Sequence, residues 1–127
     1  MKEKEVWQII IETTVHIFKN LGPGLLENVY EAVLMKLLSK KGLSVQRKVP
    51  IPIKFDGDFY DVGFRADLLV EGKVIIELVS EEKITPVHRK QLLTYLKLIN
   101  TKLGFIINFG SERMEHGIVR VINEAGG

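Results

Sequence analysis

Hydrophobic side chains recur every three to four residues over the first third of the chain, and they tend to alternate with polar ones afterwards. The helical spacing covers residues 3–20 and about 25–41, which predicts two amphipathic helices. Leu21-Gly-Pro-Gly24 breaks the first pattern, and Gly42 is typical of the residue that ends a helix. The inner stripe of the second helix is expected to consist of Leu26, Val29, Tyr30, Val33, Leu34, Leu37 and Leu38.

Strand patterns follow the two helices. Prolines at Pro50 and Pro52 favour an edge position for the first strand, and Asp56-Gly57-Asp58 predicts a hairpin turn. Later strands are bounded by turn residues in the same way. The predicted strands cover residues 44–55, 59–70, 73–79, 103–109 and 118–122.

A third helix is expected from Val87 to Ile99, because Thr85-Pro86 is typical of a helix start. The order helix, helix, three strands, helix and two strands predicts the α/β class, with a central mixed sheet flanked by helices. The first three strands would form an antiparallel meander, and the third helix would bring the fourth strand alongside. A chain of 127 residues predicts a single domain, 1–127. Its deep core is expected to include Phe18, Leu26, Tyr30, Leu34, Leu68, Ile75, Leu92, Leu96, Phe105 and Ile107.

Composition excludes several classes of site. The chain has no cysteine, so disulfides and thiolate zinc sites are ruled out. No apolar run approaches the roughly 20 residues that span a bilayer, so we expect a cytoplasmic protein with no membrane partner. The net charge of +2 does not by itself indicate nucleic acid binding, and any basic surface has to be local. Its candidate residues are Arg47, Lys48, Lys54, Arg65, Arg89 and Lys90.

Two carboxylates interrupt apolar strand sequence on either side of a predicted turn at Glu71-Gly72. Asp67 lies in the second predicted strand and Glu77 in the third. A carboxylate in such surroundings costs on the order of several kcal/mol unless it is paired, hydrogen-bonded or bound to a cation. Two carboxylates that converge therefore predict a divalent metal site.

The register of this hairpin decides whether the carboxylates converge. A two-residue turn would put Asp67 and Glu77 on opposite faces of the sheet. A three-residue loop ending in Gly72 would instead pair Leu69 with Lys73. Glu77 would then be a diagonal neighbour of Asp67 on the same face, roughly 7–8 Å away. Gly72 and the placement of the apolar residues favour the second register.

Gly24-Leu-Leu-Glu27-Asn-Val-Tyr30 opens the second predicted helix, and other motifs are spread along the chain. These are Val49-Pro-Ile-Pro52, Phe64-Arg-Ala-Asp67, Thr85-Pro-Val-His88, Gln91-Leu-Leu-Thr-Tyr95-Leu and Ile107-Asn-Phe-Gly110. Together with the element order, they resemble the PD-(D/E)XK nuclease superfamily and, within it, the GxxExxY protein family. The resemblance covers nearly the whole chain and implies a restriction-endonuclease-like core.

The resemblance also implies a function and roles for residues. It implies a metal-dependent phosphodiesterase that uses Mg²⁺ or Mn²⁺ and acts on nucleic acid, DNA more than RNA. Asp67 and Glu77 would bind the metal, with the carbonyl of Leu78 as a further oxygen ligand. Glu27 would project from the second helix toward the site, although from the residues alone its favourable place near a helix start is the preferred explanation.

Gln91 and Tyr95 lie one turn apart on the third helix. They match an element that, in related nucleases, supports the site or contacts DNA, and the residues alone leave open whether they belong to the site or to the scaffold. Tyr30 is interpreted as a core residue with a hydrogen-bonded hydroxyl.

Position 79 departs from the superfamily's pattern. The pattern has lysine two residues after Glu77, on the same face of the strand, whereas this chain has Val79. A lysine there would orient or activate the attacking water and offset phosphate charge. Lys83 is the best candidate to substitute for it, although a solvated loop lysine is the simpler interpretation.

Three functions therefore stay open. The first is a nuclease-like protein whose activity is impaired by Val79. The second is a catalytically inactive nuclease-fold module for binding or assembly, and the third is a structural homodimer without nucleic acid. A metal-dependent cleavage assay separates the first two, and salt-dependent DNA binding separates the third, because phosphate contacts release counterions.

Overall fold

Three α-helices and seven strands lie within residues 2–61 and 65–125, the part of the chain that the computed structural model describes. The helices are α1 (Glu3–Leu21), α2 (Glu27–Lys40) and α3 (Pro86–Leu98). The strands are β1 (Val45–Pro50), β2 (Ile53–Phe55), β3 (Asp58–Tyr60), β4 (Arg65–Val70), β5 (Val74–Val79), β6 (Leu103–Asn108) and β7 (Ile118–Ile122). Among these described residues, no helix is long and apolar enough to cross a membrane.

Five strands form one mixed sheet in the order β1-β4-β5-β6-β7. β1, β4 and β5 are antiparallel neighbours, β6 runs parallel to β5, and β7 is antiparallel to β6. α3 connects the two parallel strands, because parallel neighbours need a long crossover. The predicted α/β class with a mixed sheet flanked by helices is therefore confirmed, and β1 lies at an edge, as its proline predicts.

The first predicted strand is interrupted. Residues 44–55 contain both β1 and β2, and β2 pairs with β3 in a separate two-stranded sheet. The predicted turn between them is confirmed, since Asp56 and Gly57 both have left-handed backbone, with φ of 51° and 84°. The second predicted strand, 59–70, includes residues 62–64, which lie outside the described residues. The antiparallel meander is consequently β1-β4-β5, with the β2–β3 hairpin inserted between β1 and β4 in the chain.

Apolar side chains of the sheet alternate between two hydrophobic clusters. Leu68, Ile76 and Phe105 belong to the cluster that contains the buried side chains of α1 and α2. Ile75 and Ile106 belong to the cluster that contains those of α3. Because successive side chains of a strand point to opposite faces, the sheet lies between a layer of two helices and a layer of one.

The predicted core is confirmed at Tyr30, Leu34, Leu68, Ile75, Leu92, Leu96, Phe105 and Ile107, all of which are buried. Phe18 is only half-buried, at the margin of the α1–α2 cluster. Leu26 is wrong, because it is 76% exposed. It immediately precedes α2 and has an extended backbone, so it lies outside the repeating inner face of that helix. Val29, predicted on the same face, is exposed as well.

Tyr30 fixes the loop that leads into α2. Its ring is fully buried and stacks on Phe109, with ring centroids 4.1 Å apart and planes within 5° of parallel. Its hydroxyl donates to the carbonyl oxygen of Gly22 and accepts from the N–H of Leu25 at 3.1 Å. Tyr30 is therefore a core residue with a satisfied hydroxyl, as the sequence predicts.

Asn108 joins the ends of β5 and β6. Its Oδ1 accepts from the N–H groups of Glu81 and Gly110, each at 3.0 Å, and its Nδ2 donates to the Glu81 carbonyl oxygen at 2.9 Å. A Cβ atom at Gly110 would lie 2.5 Å from that same carbonyl oxygen, so the close approach requires glycine. The Asn-Phe-Gly110 motif thus holds the segment that follows β5 against the end of β6.

Candidate functional site

The loop between β4 and β5 sets the register of the strands that carry the two carboxylates. Glu71 and Gly72 both have left-handed backbone, with φ of 55° and 63°. The N–H of Lys73 donates to the carbonyl oxygen of Val70 at 3.0 Å. Lys73 therefore belongs to the turn, and Val70 pairs with Val74.

The predicted pairing of Leu69 with Lys73 is wrong, because Leu69 lies opposite Ile75. The difference is two residues, and a shift of two keeps every side chain on its own face. The regular pairing of β4 with β5 ends at Leu68 and Ile76. Asp67 and Glu77 are the next residue on each strand, just beyond this last pair.

Asp67 and Glu77 are also joined by hydrogen bonds between their strands. The N–H of Leu78 donates to Oδ2 of Asp67 at 2.7 Å. The N–H of Asp67 donates to Oε1 of Glu77 at 3.3 Å. Each carboxylate thus accepts from the backbone of the opposite strand, which holds both side chains close together at one end of the sheet.

Glu77 is difficult to ionise in this position. Burial, followed by repulsion from Asp67, raises the pKa of Glu77 to about 8 from its ordinary value of 4.5. The hydrogen bond from Asp67 N–H opposes this rise, and the charges of Glu31 and Glu27 add to it. The pair consequently holds a proton near neutral pH unless a cation takes its place.

The pKa of Asp67 is raised as well, chiefly by burial. The hydrogen bond from Leu78 N–H opposes the rise, Glu31 adds to it, and the positive charge of Lys48 opposes it. The pKa of Tyr95 is raised by burial and by the charges of Glu77 and Asp67. Tyr95 is buried in the cluster of α3, whereas Gln91, one turn earlier, is exposed.

Helix α2 contributes a carboxylate that the sequence analysis missed. Glu31 is 2% exposed and affects the pKa of both Asp67 and Glu77. Glu27, the predicted residue, is exposed in the first turn of α2 and acts on the same two groups from there. A signal was present in the sequence, because Glu31 precedes Leu34 and Leu38 at the spacing of a buried helix face.

Two basic residues of β1 neutralise Glu31. Arg47 Nε lies 2.9 Å from Oε1 of Glu31, and Lys48 Nζ lies 3.0 Å from Oε2. The carboxylate is nearly inaccessible, but both basic side chains are partly exposed, at 41% and 53%. Positive charge therefore reaches the surface beside the carboxylates of β4 and β5.

The two remaining positions that the sequence singles out are Lys83 and Val79. Lys83 is exposed in the loop after β5 and lines a separate cleft with Ser111, Arg113 and His116. Val79 is half-buried in the apolar cluster of α3, which includes Tyr95. Position 79 is predicted to share a face with Glu77. In the structure, Val79 belongs to the cluster that packs against α3.

Comparison with protein families decides the affiliation. The family model of the PD-(D/E)XK nuclease superfamily matches residues 4–121. The chain belongs to this superfamily. No curated protein and no solved structure matches it. The narrower GxxExxY family stays a prediction.

PD-(D/E)XK nucleases generally use divalent metal ions. Within residues 2–61 and 65–125, no group of three or more His, Cys, Asp or Glu side chains is arranged to hold a metal. Asp67 and Glu77 nevertheless fit Mg²⁺ or Mn²⁺, since Mg²⁺ is often held by one or two carboxylates together with water and substrate phosphate. A cation between them would relieve the repulsion that raises the pKa of Glu77.

For a member of the PD-(D/E)XK nuclease superfamily, the apolar surroundings of Val79 are a departure. The residue that replaces the expected lysine contacts side chains of the α3 cluster and offers no hydrogen bond donor from its side chain. Leu78, the other predicted ligand on this strand, supplies a backbone N–H to Asp67, and its carbonyl as a metal ligand stays a prediction.

Proposed function

We propose that this protein hydrolyses phosphodiester bonds of nucleic acid, DNA in preference to RNA, with Mg²⁺ or Mn²⁺ bound by Asp67 and Glu77. The observation that carries the proposal is that each of these two carboxylates accepts a hydrogen bond from the other's strand, in a chain of the PD-(D/E)XK nuclease superfamily. Their raised pKa values support it, because two like charges in partial burial favour binding of a cation.

In the proposed reaction, a water oxygen forms a bond to phosphorus while the bond from phosphorus to the leaving ester oxygen breaks. The water releases one proton to solvent and the leaving oxygen takes one up, so the products are a phosphate monoester and a hydroxyl. A bound divalent cation would polarise the phosphate and lower the pKa of the attacking water. The backbone N–H groups of Leu78 and Asp67 orient the two carboxylates that hold it.

The test is cleavage of duplex DNA, single-stranded DNA and RNA by the full chain, with Mg²⁺, with Mn²⁺ and with chelator. We expect cation-dependent cleavage by the wild type, and a loss of at least about a hundredfold in Asp67→Asn and in Glu77→Gln. Glu12→Gln, on the exposed face of α1, removes one carboxylate elsewhere and should cleave like the wild type.

Cation binding gives a second measurement that does not depend on turnover. Mn²⁺ should raise the melting temperature of the wild type and of Glu12→Gln, and it should have little effect on Asp67→Asn. A wild type that neither cleaves any of the substrates nor gains stability with Mn²⁺ would contradict the proposal.

A second candidate is a catalytically inactive module that binds nucleic acid or assembles with other proteins. The observation that favours it is Val79, whose apolar side chain stands at the position of the superfamily's lysine. This candidate predicts that the wild type binds Mn²⁺ and DNA but does not cleave, with DNA affinity falling steeply as salt is raised. Cleavage and filter binding measured on the same preparation distinguish the two candidates.

A further inference from the structure

Lys48 has a backbone conformation that is unusual for a strand residue. Its φ is 51°, in the left-handed region that a side chain with a Cβ atom disfavours. Its neighbours keep regular pairing, with Arg47 opposite Leu68 and Val49 opposite Ala66. Lys48 therefore occupies the position of β1 that lies across from Asp67 on β4.

The left-handed conformation changes the direction of the Lys48 side chain. In a regular strand, consecutive side chains point to opposite faces and cannot both reach one carboxylate. Here Arg47 Nε and Lys48 Nζ contact the two oxygens of Glu31 at 2.9 Å and 3.0 Å. Backbone outliers of this kind concentrate at functional sites, where the surrounding structure maintains them.

Glu31 is paired with one cation at each carboxylate oxygen. Arg47 donates to Oε1 and Lys48 donates to Oε2. Lys48 also occupies the strand position across from Asp67, between the pairs Arg47–Leu68 and Val49–Ala66. Its side chain is 53% exposed, so it is partly open to solvent.

The three adjacent strands bring the relevant positions into one row. Lys48 of β1, Asp67 of β4 and Glu77 of β5 lie at successive strands, which are about 4.8 Å apart in a sheet. A phosphate bound at the two carboxylates would lie within the reach of a lysine side chain from the neighbouring strand. Lys83 lines a different cleft and does not share this arrangement.

We infer that Lys48 supplies, from β1, the ammonium group that position 79 of β5 lacks. In this inference, which rests on the proposed phosphodiester hydrolysis, Lys48 is a catalytic residue that donates a hydrogen bond to a nonbridging oxygen of the scissile phosphate. Its charge offsets the negative charge that develops on the phosphate during attack by water. Glu31 holds the ammonium group in place, and Arg47 neutralises the remaining charge of Glu31.

The test compares Lys48→Asn with Arg47→Gln. Asparagine removes the ammonium group and tolerates left-handed backbone, whereas Arg47→Gln removes the other partner of the same Glu31 carboxylate. We expect Lys48→Asn to lower kcat by at least about a hundredfold and Arg47→Gln to lower it by less than about tenfold. Lys48→Arg, which keeps the charge, should retain more activity than Lys48→Asn.

Mn²⁺ affinity, measured by calorimetry, distinguishes a catalytic role of Lys48 from a structural one, because the two roles predict different changes in affinity. Lys48→Asn should bind Mn²⁺ as tightly as the wild type or more tightly, because it removes a positive charge beside the carboxylates. Damage to the site should instead weaken binding, as in Asp67→Asn. Val79→Lys should add little to the wild type, but in the Lys48→Asn background it should restore cleavage at least about tenfold.

The possible outcomes are distinguishable. Equal losses of kcat in Lys48→Asn and Arg47→Gln, or weaker Mn²⁺ binding by Lys48→Asn, would overturn the role of Lys48 and leave the proposed function intact. Mn²⁺ binding by a wild type that does not cleave would overturn the role of Lys48 in favour of the inactive module. A wild type that neither binds Mn²⁺ nor cleaves would overturn both. If Lys48→Asn fails to fold, Lys48→Gly answers the same question, since glycine accepts this φ freely.

Discussion

Asn108 and the pair formed by Asp67 and Glu77 lie at the same end of the sheet, and they differ in how the protein satisfies their polar atoms. Asn108, at the end of β6, is 0% exposed, and both ends of its amide are bonded to backbone groups of Glu81 and Gly110. Asp67 and Glu77, on β4 and β5, also accept backbone hydrogen bonds, but burial raises the pKa of both, and the nearby Asp67 raises that of Glu77 further. The first group is neutral and satisfied, whereas the second is only partly compensated.

The difference separates a structural site from a functional one. Polar groups whose hydrogen bonds are all made within the protein do not require a ligand, and such bonds can fix a loop. Burial raises the pKa of both carboxylates, and Asp67 raises that of Glu77 further, so a cation bound between them would relieve an unfavourable arrangement. Burial of polar groups alone would therefore not have identified the functional end of β5.

The largest effect predicted from this comparison is a dependence of stability on pH that is caused by the ionisation of Glu77. The folded protein keeps the proton of this carboxyl up to about pH 8, whereas the unfolded chain loses it near its ordinary pKa of 4.5. Since the folded state binds more protons in this window, the free energy of unfolding should fall from about pH 4.5 to about pH 8, by at most about 5 kcal/mol. Glu77→Gln should remove most of that fall, as measured by urea unfolding across this range.

The control for this experiment is Glu12→Gln, which removes an exposed carboxylate and should keep the wild-type pH dependence. Saturating Mn²⁺ should stabilise the wild type more at about pH 8 than at about pH 5, because the cation competes with the proton. Parallel curves for the wild type and Glu77→Gln would show that the two carboxylates are no less satisfied than Asn108.

A smaller effect is expected at the satisfied site. Asn108→Ala removes three hydrogen bonds and leaves backbone groups of Glu81 and Gly110 without their partner. It should lower the free energy of unfolding by about 2–4 kcal/mol in urea, with no change in its pH dependence. Asn123→Ala, which removes one side-chain hydrogen bond to the Thr101 carbonyl oxygen, should cost about half as much or less. Equal losses in the two variants would show that the Asn108 hydrogen bonds do not act together.

The smallest effect is expected from Tyr30→Phe. The variant keeps the stacking on Phe109 and loses the hydroxyl that bonds to Gly22 and Leu25. It should cost about 1–2 kcal/mol of stability without lowering cleavage by the folded protein. Tyr60→Phe, at an exposed position of β3, should change neither quantity. A large loss of cleavage in folded Tyr30→Phe would show that Tyr30 belongs to the site rather than to the scaffold.

Much of the fold could be predicted because its patterns are local. The three helices begin and end within about two residues of their predicted bounds, since spacing, Pro86 and Gly42 act within one turn of chain. The β4–β5 pairing was predicted with the correct parity, meaning that the side chains of the two strands alternate in step. The partner of Leu69 lies two residues later than predicted, because Lys73 belongs to the turn. Parity depends on the alternation of side chains, whereas the register also depends on backbone geometry at Glu71 and Gly72.

The rest of the site depends on contacts between distant segments. Glu31 could have been found as a charged residue on a buried helix face, but its role required knowing that Arg47 and Lys48 of β1 approach it. Leu26 looked like a core residue and is exposed, because the loop held by Tyr30 places it before the helix begins. Neither fact follows from periodicity within one element.

The sequence by itself determined the order of elements, the superfamily's motifs and the pairing of the two strands that carry Asp67 and Glu77. Alternation along a strand and spacing along a helix are sufficient for these, because both are properties of consecutive residues. The tertiary structure decided which charges act on the carboxylates: Glu27 and Glu31 from α2 and Lys48 from β1. These residues meet because separate elements pack on one end of the sheet, and electrostatic interaction depends on their distance in space rather than along the chain.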